Sequence, residues 1–153
     1  MPITPEPLNL IFSSANLFVL PFWGLMILVP NTNLARRVMT SLLPIMALAT
    51  LYGGLFVTSL TAVDGVEAFS NPNLSLADLA SLFANSHVMA TGWVHYLAFD
   101  LFVGRWIYWQ GQERDIVTRH SLLLCLFAGP LGLLCHWITD SLWQRWRQPE
   151  STV

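Results

Sequence analysis

The chain has 153 residues, of which 54% are hydrophobic and only 10% are charged, and its formal net charge is −2. A soluble domain carries about 25% charged residues, so this composition is typical of a membrane protein. The small negative charge and the lack of a basic run argue against a nucleic-acid-binding surface.

Four apolar stretches each approach the roughly 20 residues that an α-helix needs to cross a bilayer. They are Leu10–Val29, Leu42–Leu60, His87–Gln110 and Ser121–Trp143. Turn-forming residues separate them, as in the Pro30-Asn31-Thr32-Asn33 run after the first stretch. We therefore predict an all-α polytopic membrane protein in which residues 1–153 form one domain, a four-helix transmembrane bundle.

The arginines indicate an orientation. Five of them lie on the side of the two short loops, namely Arg36, Arg37, Arg105, Arg114 and Arg119, whereas Arg145 and Arg147 lie on the other side. Because positively charged loops remain cytoplasmic, we predict an integral multi-pass protein with its N-terminus outside.

The N-terminus and the connection between the second and third predicted spans each contain an informative pattern. The N-terminus lacks the basic start and the small-residue cleavage site of a secretory signal peptide, so we expect Leu10–Val29 to be a first span. Between the second and third spans, Ser75-Leu76-Ala77-Asp78 forms a capping-box pattern followed by apolar residues at helical spacing. This pattern indicates either a short interfacial helix or a plain surface loop.

The third span contains three ionisable residues, His95, Asp100 and Arg105. Such groups are costly to desolvate in a bilayer, so they indicate a functional site. At about 1.5 Å per residue, His95 and His136 lie at nearly the same depth in antiparallel spans. Asp140 is one turn from His136 on the same helix face, and we predict that it orients that imidazole.

These residues predict a polar pocket in the outer half of the bundle, with Asp100 at its floor. The residues predicted to bind a substrate there are Asn16, Trp93 and Tyr96. Cys125 and Cys135 have no metal-binding spacing and are interpreted as small buried thiols, so no metal site is predicted.

Structural roles remain open for several of these groups. His95 and His136 could bridge helices through hydrogen bonds, which contribute about 0.6 kcal/mol on average in a membrane bundle. Arg105 could extend to the inner headgroups instead of pairing with Asp100. Asp140 could simply mark the membrane boundary.

Three motifs stand out in the second half of the chain: Trp93-Val94-His95-Tyr96-Leu97-Ala98-Phe99-Asp100-Leu101-Phe102, Thr118-Arg119-His120-Ser121, and Gly129-Pro130-Leu131-Gly132 followed by His136. Together they resemble the membrane family that includes plant neoxanthin synthase, from the first span to about Ser141. The resemblance implies a polytopic protein required to convert violaxanthin to neoxanthin, with a xanthophyll carotenoid as its partner in the lipid bilayer. Because no plastid transit peptide is evident, we expect a prokaryotic member, such as a cyanobacterial one, in a thylakoid or plasma membrane.

The implied chemistry suits the predicted pocket. Opening a carotenoid epoxide to an allenic alcohol is an isomerisation that needs a general acid near the epoxide oxygen and a base for a C–H proton. We predict His95 and His136 as this acid–base pair, with Asp140 orienting His136 and Asp100 setting the local proton balance. No cofactor is required for such a reaction.

Two other classes of protein remain open. Two histidines at one depth on antiparallel helices are also the pattern that ligates a b-type haem in an electron-transfer subunit. Alternatively, the chain could be a non-catalytic pigment-binding or assembly subunit, either of an oligomer or of a photosynthetic complex. Small residues such as Gly53 and Gly54 would then pack against a partner.

Overall fold

The computed structural model describes residues 5–62 and 70–147. We number its helices in chain order: α1 (Pro5–Leu28), α2 (Asn33–Thr40), α3 (Leu43–Ala62), α4 (Leu76–Phe83), α5 (Ser86–Arg114), α6 (Arg119–Phe127) and α7 (Gly129–Arg147). Within the described ranges there is no β-strand, which confirms the predicted all-α class.

Among residues 5–62 and 70–147, two helices are long and apolar enough to cross a membrane, over Glu6–Leu28 in α1 and Leu43–Thr61 in α3. They correspond to the first two predicted spans. In the most apolar stretch of α1, only 22% of the residues are buried, and in the corresponding stretch of α3 only 17% are buried. Both helices are therefore largely exposed, whereas the core helix of a soluble domain would be mostly buried.

The helices of the structure differ from the third and fourth predicted spans. In the described residues, four membrane-crossing helices are therefore not confirmed. The helix α5 is 29 residues long, but its polar residues make it less apolar than α1 and α3. The predicted span Ser121–Trp143 is divided at Ala128 into α6 and α7. The cause is Pro130, which has no N–H for a continuous helix but is tolerated in the first turn of a new one.

Two short helices lie in the connections. The helix α2 was not predicted; it begins after Thr32, whose side-chain oxygen accepts a hydrogen bond of 3.2 Å from the N–H of Ala35. The helix α4 begins at the predicted capping box. The Ser75 hydroxyl accepts from the N–H of Asp78 at 3.2 Å, and the Asp78 carboxylate accepts from the N–H of Ser75 at 3.0 Å. For this segment the helix is confirmed, and the surface-loop alternative is wrong.

The chain divides into two compact units. The first comprises Met1–Val19 and Leu43–Ala98, and the second comprises Leu20–Leu42 and Phe99–Val153. The first unit has a buried apolar cluster formed by Leu8, Ala15, Leu55, Ala90 and Val94. The second unit buries large side chains that include Trp23, Met26, Ile107, Tyr108 and Leu122. Each unit therefore has apolar side chains that are removed from solvent.

Candidate functional site

His95 lines a cavity of about 220 Å³ in the first unit. Three helices, α3, α4 and α5, contribute its lining residues, which are Tyr52, Phe56, Ser59, Phe83, Val88, Thr91, Gly92, His95 and Tyr96. Most of the wall is apolar or aromatic, and a few polar groups converge on it. This composition is typical of a small-molecule site. We call it the His95 cavity.

Two tyrosines accompany the imidazole in the His95 cavity. The ring centroid of His95 lies 5.4 Å from that of Tyr52, with the planes tilted by 54°. The ring of Tyr96 meets His95 edge to face, with 6.2 Å between the centroids. Tyr96 is 58% exposed, whereas Tyr52 and His95 are half-buried. Tyr96 therefore lies at the more open part of the cavity.

The hydroxyl groups of Ser59 and Thr91 both donate hydrogen bonds to backbone carbonyl groups. Ser59 donates to the carbonyl of Phe56 at 2.8 Å, and Thr91 donates to the carbonyl of His87 at 2.7 Å. Both side chains are buried. Because both protons are already shared with the backbone, neither hydroxyl is a ready proton donor to a ligand.

The helix α4 closes part of the His95 cavity through Phe83. A Cβ atom placed on Gly92 would lie 2.9 Å from Cε1 of the Phe83 ring, which is closer than side chains pack. Glycine at this position is therefore what allows the ring of Phe83 to rest on α5.

Two predicted substrate-binding residues, Asn16 and Trp93, are bonded to each other. The indole Nε1–H of Trp93 donates to Oδ1 of Asn16 at 3.1 Å, and Nδ2 of Asn16 donates to the carbonyl of Phe12 at 2.8 Å. The rings of Phe12 and Trp93 lie 5.5 Å apart. Neither Asn16 nor Trp93 lines the His95 cavity, whereas Tyr96 does.

His136 is buried in the second unit, with 1% of its surface exposed. Its ring meets that of Trp106 at right angles, with 5.4 Å between the centroids. Neither ring nitrogen has a hydrogen-bond partner in the described part of the chain. Asp140 therefore accepts no hydrogen bond from this imidazole, and its predicted role in orienting His136 stays a prediction.

Asp140 instead binds donors from two other residues. Nη1 of Arg114 donates to its Oδ2 atom in an ion pair, and Nε2 of Gln144 donates to the same oxygen at 2.9 Å. A charge-assisted bond to a guanidinium is stronger than one to a neutral imidazole, which explains why Asp140 faces Arg114. Sequence reasoning did not find this partner, because Arg114 was assigned to the opposite side of the membrane.

Asp100 lies in the second unit and packs against Gly129. A Cβ atom at Gly129 would overlap the Oδ1 atom of Asp100, so the first residue of α7 must be small. The thiol of Cys125 donates to the backbone carbonyl of Asp100 at 3.6 Å. The predicted floor residue is thus half-buried beside the Gly-Pro start of α7.

Arg105 binds the C-terminal end of α2. Its Nε atom donates to the carbonyl of Met39 at 2.6 Å, and Nη2 donates to the carbonyl of Thr40 at 3.3 Å. Carbonyl groups at a helix end lack intrahelical partners, and a cation there is favourable. Neither sequence-based alternative included this contact, because α2 was not predicted.

The predicted site residues are divided between the two units. Asn16, Trp93, His95 and Tyr96 belong to the first, and Asp100, His136 and Asp140 belong to the second. Over residues 5–62 and 70–147, no group of three or more His, Cys, Asp or Glu side chains is placed to hold a metal ion.

The fold and the His95 cavity define a class of protein: its described residues are α-helical, include two membrane-length apolar helices, and form a small aromatic cavity that is lined by His95. The family model described as ABA DEFICIENT 4-like matches residues 10–136, and the chain belongs to this family. It is 33% identical to the protein ABA DEFICIENT 4, chloroplastic, of Arabidopsis thaliana over 141 residues. This match covers 91% of the chain and 64% of the relative, so the chain spans less than two thirds of that protein. No solved structure matches the chain.

These comparisons confirm the family that the three motifs indicated. They support a carotenoid-related function in the family. The prokaryotic origin stays a prediction.

Proposed function

We propose that this protein is a membrane-embedded, carotenoid-modifying enzyme that isomerises an epoxy-carotenoid to an allenic carotenoid. The observation that carries the proposal is the His95 cavity, in which an imidazole lies beside the phenols of Tyr52 and Tyr96. Membership of a family that includes neoxanthin synthase supports the carotenoid as substrate class.

We propose that the chain crosses the bilayer three times, with α5 as the third span. The helices α6 and α7 fold back on one another, because Nε2 of His120 lies 2.8 Å from Oγ1 of Thr139 and Arg114 pairs with Asp140, so both ends of this helix pair lie where α5 ends.

Exposed apolar residues on α5 and α7 support lipid contact for both helices. On α5, Phe99, Phe102 and Trp106 are 58%, 49% and 44% exposed. On α7, Leu134 and Trp137 are 52% and 66% exposed. Such faces suit lipid better than water. The N-terminus is placed outside by the arginine distribution alone.

The proposed reaction begins with His95 as the general base. The imidazole removes a proton from the polyene carbon next to the epoxide ring, and the electron pair of that C–H bond forms a new double bond. The adjacent epoxide C–O bond breaks, and the oxygen takes a proton and becomes a hydroxyl group. The protons and electrons balance without an oxidant or a reductant.

Tyr52 is the proposed proton donor to the epoxide oxygen. Its ring is closer to His95 than that of Tyr96, and it is less exposed. Water exclusion strengthens a hydrogen bond to the developing alkoxide, so the more buried phenol is the better acid. Tyr96 is assigned to positioning the ring end of the substrate. The roles predicted for His136, Asp100 and Asp140 stay predictions.

The cavity volumes suggest how a long substrate is held. Pockets for drug-sized ligands measure roughly 300–1,000 Å³, so the His95 cavity of about 220 Å³ suits one ring end of a carotenoid. A neighbouring apolar cavity of about 380 Å³ in the same unit is lined by residues of α1 and α3. Because α3 supplies Leu48 and Leu51 to this apolar cavity and Tyr52 to the His95 cavity, the two follow one another along α3. We assign the polyene to the apolar cavity.

The proposal is tested by the carotenoid profile of a host that accumulates violaxanthin, with and without this chain. We expect a new allenic product with the unaltered protein, no product with His95→Ala, and at least a tenfold loss with Tyr52→Phe. His120→Ala is the matched control, because that histidine is exposed and lies outside the His95 cavity. An unchanged carotenoid profile with the unaltered chain would remove violaxanthin as the substrate.

A further inference from the structure

A polar cavity of about 550 Å³ lies in the second unit, where α1 ends and where α5 is connected to α6. Its lining includes Arg36, Gln112, Thr118 and Arg119. These polar and basic side chains take no part in the proposed carotenoid reaction, so their grouping around one cavity indicates a second binding site.

The charge of this cavity is positive. Arg36 is fixed by a bond of 3.2 Å from its Nε atom to the side-chain oxygen of Gln112, and Arg119 is the first residue of α6. One carboxylate, that of Asp115, also lines the cavity. Its side chain is 95% exposed and its Oδ2 atom lies 3.6 Å from Nη2 of Arg147, so its charge is balanced by a further arginine.

Thr118 is a buried polar side chain without a partner. It lines the cavity and occupies the N-cap position of α6, is only 7% exposed, and makes no capping hydrogen bond. No other hydrogen bond of its hydroxyl occurs in the described part of the chain. The residue as a whole is buried, but its hydroxyl oxygen is not among the enclosed side-chain atoms of the described residues, so it opens onto the cavity and can bond a ligand there.

The helix that follows Thr118 also presents backbone donors. The first intrahelical bond of α6 runs from the N–H of Leu122 to the carbonyl of Thr118 at 2.9 Å. The earlier N–H groups have no intrahelical acceptor, and the partial positive charge of the helix favours an anion near them.

We propose that this cavity binds a phosphate group through the hydroxyl of Thr118, the first N–H groups of α6, and the guanidinium groups of Arg36 and Arg119. Phosphate accepts several hydrogen bonds at once, and arginine matches its geometry. The group belongs either to the headgroup of an anionic phospholipid or to a free phosphate ion. This site is independent of the carotenoid reaction.

The test uses the full chain, purified in neutral detergent, and records its Tm in two titrations. One adds inorganic phosphate, with chloride at matched ionic strength as the reference, and the other adds phosphatidylglycerol. We expect a saturable rise of Tm in at least one titration. A rise with phosphate identifies the free ion as a ligand, and a rise with the lipid alone identifies the headgroup.

Three substitutions locate the effect. Arg119→Gln and Thr118→Val should each raise the half-saturating concentration roughly tenfold, as expected for the loss of a hydrogen bond to a charged group. Thr118→Val keeps the shape of the side chain and removes no capping bond, so it should fold normally. Arg37→Gln is the matched control, because Arg37 is exposed on α2 and does not line the cavity. The proposal is overturned if neither titration raises Tm, or if Arg37→Gln weakens the rise as much as Arg119→Gln.

Discussion

The indole N–H of Trp93 donates a hydrogen bond to the side-chain oxygen of Asn16, with 3.1 Å between the two atoms. The residues are 77 positions apart in the chain, so this bond joins α5 to α1 within the first unit. Both residues were predicted to bind a substrate. Their mutual bond gives each of them a structural role in holding the two helices together.

We expect Trp93→Phe and Asn16→Leu to lower the free energy of unfolding non-additively. The coupling should be about 0.6 kcal/mol, the average for interhelical hydrogen bonds in a membrane protein. A double-mutant cycle of unfolding in mixed micelles measures it. Product formation by Trp93→Phe should persist, since Trp93 does not line the His95 cavity. Loss of product in a stable Trp93→Phe variant would contradict this structural role and would support the prediction that Trp93 binds the substrate.

Gly92→Ala should narrow the His95 cavity. The added methyl group would lie 2.9 Å from the ring of Phe83, so that ring must move. Because the ring belongs to a short helix, we expect the fold to survive and product formation to fall several-fold. Chromatography of the carotenoids measures the change.

The matched control for Gly92→Ala is Gly53→Ala, because no atom of the described residues lies within 4 Å of a Cβ atom at Gly53. We expect it to leave product formation unchanged. If Gly53→Ala instead abolished co-purification with a larger complex, the assembly-subunit alternative would be favoured.

His136→Leu should leave the free energy of unfolding within about 1 kcal/mol of the unaltered value. The substitution loses ring contacts with Trp106, but it also removes two buried nitrogens that have no partner, and an unsatisfied buried group costs about 1–3 kcal/mol. Chemical denaturation measures the difference. The same purified protein should show no haem absorption band. A band that His95→Ala and His136→Leu both abolish would establish the haem-subunit alternative.

The capping box of α4 should respond to acid. The side-chain and backbone hydrogen bonds from Ser75 hold the pKa of the Asp78 carboxyl below its ordinary value of 3.8. Because the folded-state pKa is lowered, the stabilisation is complete above pH 3.8 and is lost as the pH falls through the lower, folded-state pKa. The NMR shift of the Ser75 amide should therefore titrate with a midpoint below 3.8. A flat titration in Asp78→Asn is the control, and a midpoint above 3.8 would contradict the prediction.

Local patterns in the sequence predicted several elements of this fold. Leu10–Val29 and Leu42–Leu60 coincide closely with α1 and α3, because an uninterrupted apolar run of this length has few alternatives to a helix. Ser75 and Asp78 identified the start of α4, since both halves of a capping box lie within four residues. Pro130 indicated a kink in the fourth predicted span, but the complete break at Ala128 was not predicted, because the apolar run continues across it.

The site was less accessible to sequence reasoning than the helices. His95 was predicted because an ionisable group is costly in an apolar span, Tyr96 was predicted as a substrate-binding residue beside it, and both line the cavity. Tyr52 was missed because it lies in another span, and sequence alone does not define how two spans are rotated against one another. Likewise, the four-residue spacing on one helix predicted that Asp140 lies near His136. It did not reveal that Asp140 pairs with Arg114.

The most direct test of the central claim is conversion by the purified chain alone. The protein is reconstituted in lipid vesicles that contain an epoxy-carotenoid such as violaxanthin, and the carotenoids are separated over time. We predict that an allenic isomer of equal mass accumulates with the unaltered chain and with His120→Ala, and that none accumulates with His95→Ala. Equal conversion by His95→Ala would contradict the assignment of the His95 cavity as the active site, and no conversion by any variant would contradict the proposed enzyme.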